Sequence, residues 1–340
     1  MKLKWGIVTV GKISHDFVNA LTTLPSDDHV VIAAAARSAE DAKKFAAAHD
    51  IPKFYAGYEL LAKDPEINVV YIGSVNAKHY ELCKLYLEHG KHVLCEKPLC
   101  VNSKQTESLL KFAKEKKLFL MEAIWSRFFP SYVYTKEMIN KGALGEITEV
   151  DVEFGFPLTE VEIVRYGPDA RNLGGGTILD LGVYTIQVSL WGFNSQTPSK
   201  IEATGKVGEN GVDIEMNGKL HFSNGGVANI RTSATKLLRN SAIIKGTKGQ
   251  IELHDFWCPT TITDIDGKKK SWPLPEAKWE FVLLNSCGMR YEATEVKRCI
   301  EAGLLESSSV SHEESIRISK IQDSLRAQVG TKLPEDEMNF

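Results

Sequence analysis

The feature that most constrains this chain is the alternation of apolar strand segments with helical segments through its first 124 residues. Short β-branched runs end at glycine or polar residues, and a stretch with helical periodicity follows each of them. Strands that alternate with helices form parallel sheets, because each helix carries the chain back to the starting edge. The pattern therefore predicts an α/β chain that opens with a doubly wound parallel sheet over residues 1–124.

The first strand–helix junction is a candidate phosphate site. Strand residues 5–11 are followed by a helix from Ile13 to about Leu24, so Gly11, Lys12 and Ile13 lie at the helix amino terminus. Backbone N–H groups and the helix dipole bind phosphate at such a position. The glycine pattern is degenerate, since Thr9 and Ser14 stand where G-x-G-x-x-G has its first and third glycines. An ordinary strand–helix turn is the alternative.

The second strand, residues 30–36, ends in Arg37 and Ser38. A site for NAD has an acidic residue near this point to bind the ribose 2′-hydroxyl, whereas arginine suits the 2′-phosphate of NADP. Ser38 would be a second donor. The sequence thus favours NADP with NAD as a weaker cofactor, although a solvated arginine at a strand end is the plainer interpretation.

Polar side chains follow the next two strands. Lys97 comes after the strand formed by residues 91–95 and just before Pro98, and Asn76 and His79 follow the strand at 68–73. Ligands of open α/β sheets bind outside the carboxyl ends of the strands, so these side chains are expected to border one crevice. His79 could equally be a helix-start residue that bonds to solvent.

The second half of the chain changes pattern. Gly174–Gly176 precede a predicted helix on which Asp180 and Tyr184, four residues apart, share one face. The glycines allow close approach to a ligand or to another element. Phe154 lies on the apolar face of a predicted strand, where an aromatic is more often core than pocket.

From residue 200 onward, turn signals such as Ser223–Gly226 predict antiparallel strands. Residues 125–340 are therefore predicted to form an α+β domain with a large, open, mostly antiparallel sheet. Phe256 and Trp257 are expected on the free face of that sheet, as a partner surface. Lys268–Lys270 is predicted to be a solvated loop tip, and the acidic tail after Pro334 is predicted to be mobile.

Composition narrows the partners. The net charge of −3 gives no reason to expect nucleic acid or an anionic membrane surface, and no apolar segment approaches the ~20 residues that span a bilayer. Six scattered cysteines suit the reducing cytoplasm. His92 and Cys95 point to opposite faces of a strand, so no metal site is predicted.

With Glu96-Lys97-Pro98 after such a fold, the chain resembles the Gfo/Idh/MocA family of NAD(P)-dependent oxidoreductases. Residues 5–8, 94–98, 121–130, 246–249 and 257–260 resemble the dihydrodiol dehydrogenases within that family. The resemblance implies an NADP-dependent enzyme that oxidises trans-dihydrodiols of arenes and aldopentoses such as D-xylose by hydride transfer. It also implies a homodimer formed through the open sheet.

The resemblance places His79 and Arg127 near the cofactor, and Trp125 and Phe154 at the substrate. Relatives carry a second arginine where Asp41 stands, which should weaken the preference for NADP. The full set of predicted cofactor-binding residues is Gly11, Lys12, Ile13, Arg37, Ser38, Tyr71, Ser74, Asn76, His79, Glu96, Lys97 and Arg127.

The hypothesis for the chemistry makes Tyr184 the general acid/base. A free tyrosine has a pKa of about 10, and the ammonium of Lys97 would lower that value by favouring the phenolate. Asp180 would keep Lys97 charged and oriented. A rival assignment makes Lys97 itself the proton donor and acceptor. Two other functions stay open: a sugar oxidoreductase with a different carbohydrate substrate, and a non-catalytic NADP-binding sensor.

Overall fold

The computed structural model describes all 340 residues, and the chain divides into two compact units. The first comprises residues 1–100, 105–128 and 274–312, and the second comprises residues 101–104, 129–273 and 313–340. The chain leaves the first unit after Phe128, near the expected boundary at residue 124. Residues 274–312, which the sequence division assigned to the second domain, belong to the first unit.

A six-stranded parallel sheet forms the centre of the first unit. Its strands are β1 (Leu3–Val8), β2 (His29–Ala36), β3 (Lys53–Ala56), β4 (Val69–Ile72), β5 (His92–Glu96) and β6 (Leu120–Ala123). The strand order is β3-β2-β1-β4-β5-β6, and every neighbouring pair is parallel. The predicted doubly wound sheet is confirmed. The order reverses between β1 and β4, so the carboxyl ends of these strands flank the switch point where ligands of such sheets bind.

The helices of this unit lie close to their predicted positions. They are α1 (Lys12–Leu21), α2 (Ala39–Ala48), α3 (Tyr58–Ala62), α4 (His79–Glu88), α5 (Ser103–Lys116) and α10 (Met289–Glu301). The bounds of α2, α3 and α5 agree with the helices that the sequence pattern predicts over residues 39–48, 58–62 and 103–116. Strand β3 was not predicted, because a four-residue, half-exposed edge strand leaves little periodicity to detect.

An eight-stranded sheet forms the centre of the second unit. Its strands are β7 (Ile147–Gly155), β8 (Lys200–Val207), β9 (Asp213–His221), β10 (Val227–Ser233), β11 (Ser241–Gly246), β12 (Gly249–His254), β13 (Thr261–Thr263) and β14 (Lys269–Ser271). Only β7 and β10 pair in parallel, so the predicted mostly antiparallel sheet is confirmed. The predicted turn at Ser223–Gly226 joins β9 to β10.

Five helices complete the second unit: α6 (Pro130–Asn140), α7 (Ile163–Tyr166), α8 (Thr177–Asp180), α9 (Gly182–Gly192) and α11 (His312–Val329). Helix α9 contacts β7, β10 and β11 and so covers one face of the sheet. None of the helices in either unit combines the length and the hydropathy that crossing a bilayer requires.

Three predictions about the surface of the second unit are wrong. Phe256 is completely buried, with its ring centroid 5.3 Å from that of Phe154, so it forms no part of a free face. The predicted loop tip at 268–270 runs into β14, and Lys270 pairs with Asp264. The acidic tail is anchored, because Asp336 accepts a 2.7 Å hydrogen bond from Arg326.

Candidate active site

The junction between β1 and α1 has the geometry of a phosphate cradle. Gly11 is the N-cap of α1, no side chain caps its N–H groups, and the first turn contains no acidic residue. A Cβ built on Gly11 would meet no atom within 4 Å, so the backbone there is open. By contrast, the Ser38 hydroxyl caps α2 by accepting the 3.3 Å hydrogen bond from the Asp41 N–H. The amino terminus of α1, unlike that of α2, therefore has N–H groups that no side chain caps and that an anion could bind.

Thr9 replaces the first glycine of the pattern without losing its backbone conformation. Its φ of 68° lies in the left-handed region, which is strained for a β-branched residue. Its hydroxyl donates a 2.6 Å hydrogen bond to the Gly73 carbonyl at the end of β4. Gly73 is itself required, because a Cβ there would lie 2.7 Å from the Ser14 hydroxyl. This glycine, absent from the sequence prediction, lets α1 approach the sheet closely.

At the end of β2, Arg37 is exposed and Ser38 is partly exposed, with the exposed Asp41 in the first turn of α2. Arg37 interacts electrostatically with Tyr58: burial raises the pKa of Tyr58, and the charge of the Arg37 guanidinium partly offsets that rise. A cation with free access to solvent at this strand end fits the 2′-phosphate of NADP.

The ends of β4 and β5 are joined by buried hydrogen bonds. Tyr71, completely buried, donates a 2.6 Å hydrogen bond from its hydroxyl to Glu96. Burial, and then the charge of Glu96, raises the pKa of Tyr71 well above its ordinary value. Tyr71, one of the predicted cofactor-binding residues, thus has no exposed surface in the structure. The side chain of Lys97, which follows β5, is partly exposed.

The charge of Glu96 acts on a buried carboxyl group that the sequence analysis did not identify. Glu292 on α10 is completely buried, and neither of its carboxyl oxygens has a hydrogen-bond partner. Burial first, and the charge of Glu96 second, raises the pKa of Glu292 well above its ordinary value. Burial therefore favours the neutral form of the Glu292 carboxyl group.

His79 is a buried bridge between two strand exits. One ring nitrogen lies 2.8 Å from the Pro98 carbonyl oxygen, and the other lies 3.1 Å from that of Ser74. Its neighbour Asn76 is 3% exposed. His79 thus orders the loops that carry Ser74 and Lys97, and it is not a solvent-bonded helix start.

Trp125 and Arg127 belong to a short 3-10 helix, Trp125–Phe128, at the end of the first unit. Arg127 is 2% exposed and donates a 3.2 Å hydrogen bond to the Ser309 carbonyl. The Arg127 guanidinium therefore binds the backbone of the segment 274–312. Trp125, two residues earlier, is also buried, with 6% of its surface exposed.

An aromatic cluster in the second unit includes Tyr184. The Phe154 ring lies edge-on to Tyr184 at 5.7 Å between centroids and stacks on Trp257 at 4.6 Å. Phe156 lies edge-on to Trp257 at 5.7 Å. Phe154 is 3% exposed, whereas Phe156 and Trp257 retain exposed surface. The sequence analysis placed Trp257 on a partner surface and missed Phe156 as a member of this cluster.

Asp180 and Tyr184 do not share one continuous helix. Asp180 ends α8 and Tyr184 lies in the first turn of α9. Leu181 joins the two helices in a helical conformation, and its N–H donates a 2.8 Å hydrogen bond to the Thr177 carbonyl. Asp180 forms an ion pair with Arg165, whose guanidinium lies 3.0 Å from Asp180 Oδ1. The Tyr166 hydroxyl lies 3.5 Å from Asp180 Oδ2. Arg165 is a partner that the spacing argument could not find.

A doubly wound sheet with an uncapped helix at its switch point is the arrangement found in dinucleotide-binding domains. Residues 3–124 match the family described as oxidoreductases with an NAD-binding Rossmann fold, and residues 132–252 match the GFO/IDH/MocA C-terminal domain. The chain belongs to the Gfo/Idh/MocA family. The predicted family, the enzyme class and the nicotinamide cofactor are confirmed.

Among known proteins, the chain is 42% identical to a trans-1,2-dihydrobenzene-1,2-diol dehydrogenase from Danio rerio, over 99% of both chains. It is 40% identical to the enzyme of that name from Homo sapiens, over 99% of this chain and 100% of the relative. An aldose-aldose oxidoreductase from Caulobacter crescentus superposes with a TM-score of 0.82 at 20% identity, covering 97% of this chain and 98% of that one. At that identity the superposition establishes the fold alone.

Proposed function

We propose that the protein is an NADP-dependent dehydrogenase that oxidises trans-dihydrodiols of aromatic hydrocarbons and aldopentoses such as D-xylose. The observation that carries the proposal is the aromatic cluster around Tyr184, in which a phenol able to exchange a proton contacts Phe154. Aromatic rings suit both an arene and the apolar face of a sugar. The names of the relatives at about 40% identity support the diol as substrate.

The residues at the switch point fit a nicotinamide dinucleotide. Gly11, Lys12 and Ile13 would hold the pyrophosphate on the open N–H groups of α1, and Arg37 with Ser38 would hold the 2′-phosphate. When bound, the nicotinamide ring supplies the hydride acceptor. We infer a preference for NADP over NAD that is weaker than two arginines would give, because Asp41 adds a negative charge in the first turn of α2.

The proposed chemistry needs a base for the hydroxyl proton of the substrate. Tyr184 would take that proton as phenolate, and the ammonium of Lys97 would favour the phenolate by its charge. Asp180 would keep Lys97 oriented while its own charge is balanced by Arg165. Phe154 and Trp257 would pack on the substrate ring, with Trp125 as a further apolar contact.

Paired substitutions test these roles. Tyr184→Phe and Lys97→Met should each lower kcat by about 100-fold or more, since general acid–base catalysis contributes about 10²–10⁴-fold. Tyr134→Phe is a matched control, because Tyr134 bonds to Asp264 within the same unit. Turnover would be measured with NADP and NAD, on a naphthalene dihydrodiol and on D-xylose. Near-normal turnover of Tyr184→Phe with loss in Lys97→Met would assign the proton to Lys97. No turnover of any substrate despite NADPH binding would favour the sensor.

We further propose a homodimer through the open face of the eight-stranded sheet, in the cytoplasm. That face is polar: Lys245 pairs with Glu149 at 2.7 Å, and Arg231 pairs with Glu153 at 2.6 Å. Ile243 adds a partly exposed apolar side chain beside them. Sedimentation should give twice the 37.8 kDa chain mass, and Ile243→Glu should shift the mass toward the monomer. A monomer at all concentrations would exclude the dimer.

A further inference from the structure

We propose that Arg165 is a positioning residue that holds Asp180 ionised and correctly oriented for the reaction. The inference deepens the proposed function and rests on it, since Asp180 matters only if its carboxylate serves the chemistry of Tyr184 and Lys97. Its basis is the way that α7, the glycine run and α8 fix both ends of one ion pair.

The side-chain contact is the first part of that basis. The Arg165 guanidinium lies 3.0 Å from Asp180 Oδ1, and the Asp180 side chain is 9% exposed while that of Arg165 is 29% exposed. A carboxylate with so little access to water needs a cation or hydrogen bonds to stay charged. Arg165 supplies the cation from a partly solvated position, which limits its own desolvation cost.

Tyr166 and Asp213, which lie near this ion pair, carry no positive charge. The Tyr166 hydroxyl lies 3.5 Å from Asp180 Oδ2, at the outer limit of a hydrogen bond. Burial first, and then the charge of Asp180, raises the pKa of Tyr166 well above its ordinary value, so Tyr166 remains a neutral phenol. Asp213 adds a second negative charge near Tyr166. Arg165 is thus a positive charge in direct contact with Asp180.

The backbone of Arg165 is locked against the start of α8. The Gly176 N–H donates a 3.2 Å hydrogen bond to the Arg165 carbonyl, and a Cβ on Gly175 would collide with that same oxygen. The sequence left open whether the glycine run allows close approach to a ligand or to another element. In the structure the element that approaches it is α7, through the Arg165 carbonyl. Any residue larger than glycine at 175 would push α7 away from α8 and lengthen the ion pair.

The amino terminus of α8 is fixed independently. Asp213 accepts hydrogen bonds from the Ile178 N–H at 2.7 Å and the Thr177 hydroxyl at 2.8 Å. Gly176, with φ of 104°, makes room for this carboxylate, because a Cβ there would lie 2.6 Å from Asp213 Oδ1. With α8 held at one end by Asp213 and at the other by Arg165, the carboxylate of Asp180 has little freedom to rotate.

The test is a series at position 165. Arg165→Met and Arg165→Gln should each lower kcat by about 10- to 100-fold, with a smaller change in KM, because small displacements of a reacting group cost about that much. The acidic limb of the pH profile of kcat/KM should move to higher pH, since a carboxylate without its cation is protonated more readily. Arg165→Lys, which keeps the charge, should restore most of kcat and the position of the limb.

Controls separate this role from a structural one. Arg171→Met is the matched variant, because Arg171 is an exposed arginine of the same unit that bonds only a backbone carbonyl, at 2.9 Å from Lys332. It should leave kcat and the pH profile unchanged. Folded Arg165→Gln with a wild-type kcat and pH profile would overturn the inference. If Asp180→Asn lost activity and Arg165→Gln did not, the role of Arg165 would be refuted and the role of Asp180 would stand. An active Asp180→Asn would instead remove Asp180 from the proposed function, and the inference with it.

Discussion

Replacing His29 with asparagine should make the stability of the protein less sensitive to acid. His29 is 6% exposed, and its Nδ1 accepts a 3.1 Å hydrogen bond from the indole N–H of the completely buried Trp5. Burial lowers the pKa of His29 to about 4, and the nearby Lys297 adds to the effect while Asp28 opposes it. The folded state thus keeps the imidazole neutral over a range in which the unfolded chain protonates it.

The sign and size follow from linkage. Because the folded-state pKa is below the unfolded value of 6.5, the contribution is fully present above pH 6.5 and is lost as pH falls toward 4. The gap between 6.5 and about 4 corresponds to about 3 kcal/mol in total, of which about 2 kcal/mol is lost by pH 5. Asparagine does not titrate, and its carbonyl oxygen still accepts a hydrogen bond from Trp5.

The assay is urea unfolding at pH 7.5 and pH 5, followed by far-ultraviolet circular dichroism. Between the two pH values, the wild type should lose about 2 kcal/mol more unfolding free energy than His29→Asn. The exposed His89 provides the control substitution, His89→Asn, which should behave like the wild type. Equal losses in the wild type and His29→Asn would refute the assignment of acid sensitivity to this buried imidazole.

Three further substitutions test other parts of the first unit. Glu292→Gln should raise the unfolding free energy above pH 4.5, because in the wild type only the unfolded chain releases the proton there. The gain should grow by up to about 1.4 kcal/mol per pH unit until the raised pKa of Glu292 is reached. Equal gains in unfolding curves at pH 5 and pH 7 would contradict this prediction. Gly73→Ala should cost about 1–3 kcal/mol and weaken NADPH binding, since its Cβ would displace Ser14; an unchanged melting temperature and Kd would show that α1 can shift freely. Asp41→Arg should raise the kcat/KM ratio for NADP over NAD about tenfold, and an unchanged ratio would place the 2′-phosphate elsewhere.

The fold was largely readable from local patterns. Alternating strands and helices in residues 1–124 and turn signals after residue 200 sufficed for both sheets, because hydrophobic period and turn chemistry act over a few residues. The assignment of residues 274–312 to the first unit was not readable, since the contact of α10 with α1 joins segments far apart in sequence. Strand β3 was not predicted for a different, local reason: its four residues are too few to show a hydrophobic periodicity.

The sequence by itself determined which residues are candidates for chemistry: Lys97 at a strand end, Asp180 and Tyr184 after a glycine run, and Arg37 where a 2′-phosphate is expected. Tertiary structure alone decided what surrounds them. It divided Asp180 and Tyr184 between two successive helices, paired Asp180 with Arg165, buried Phe256, and buried Glu292 near the charge of Glu96. The physical reason is that charge state and packing depend on neighbours brought together by folding, which spacing along the chain does not encode.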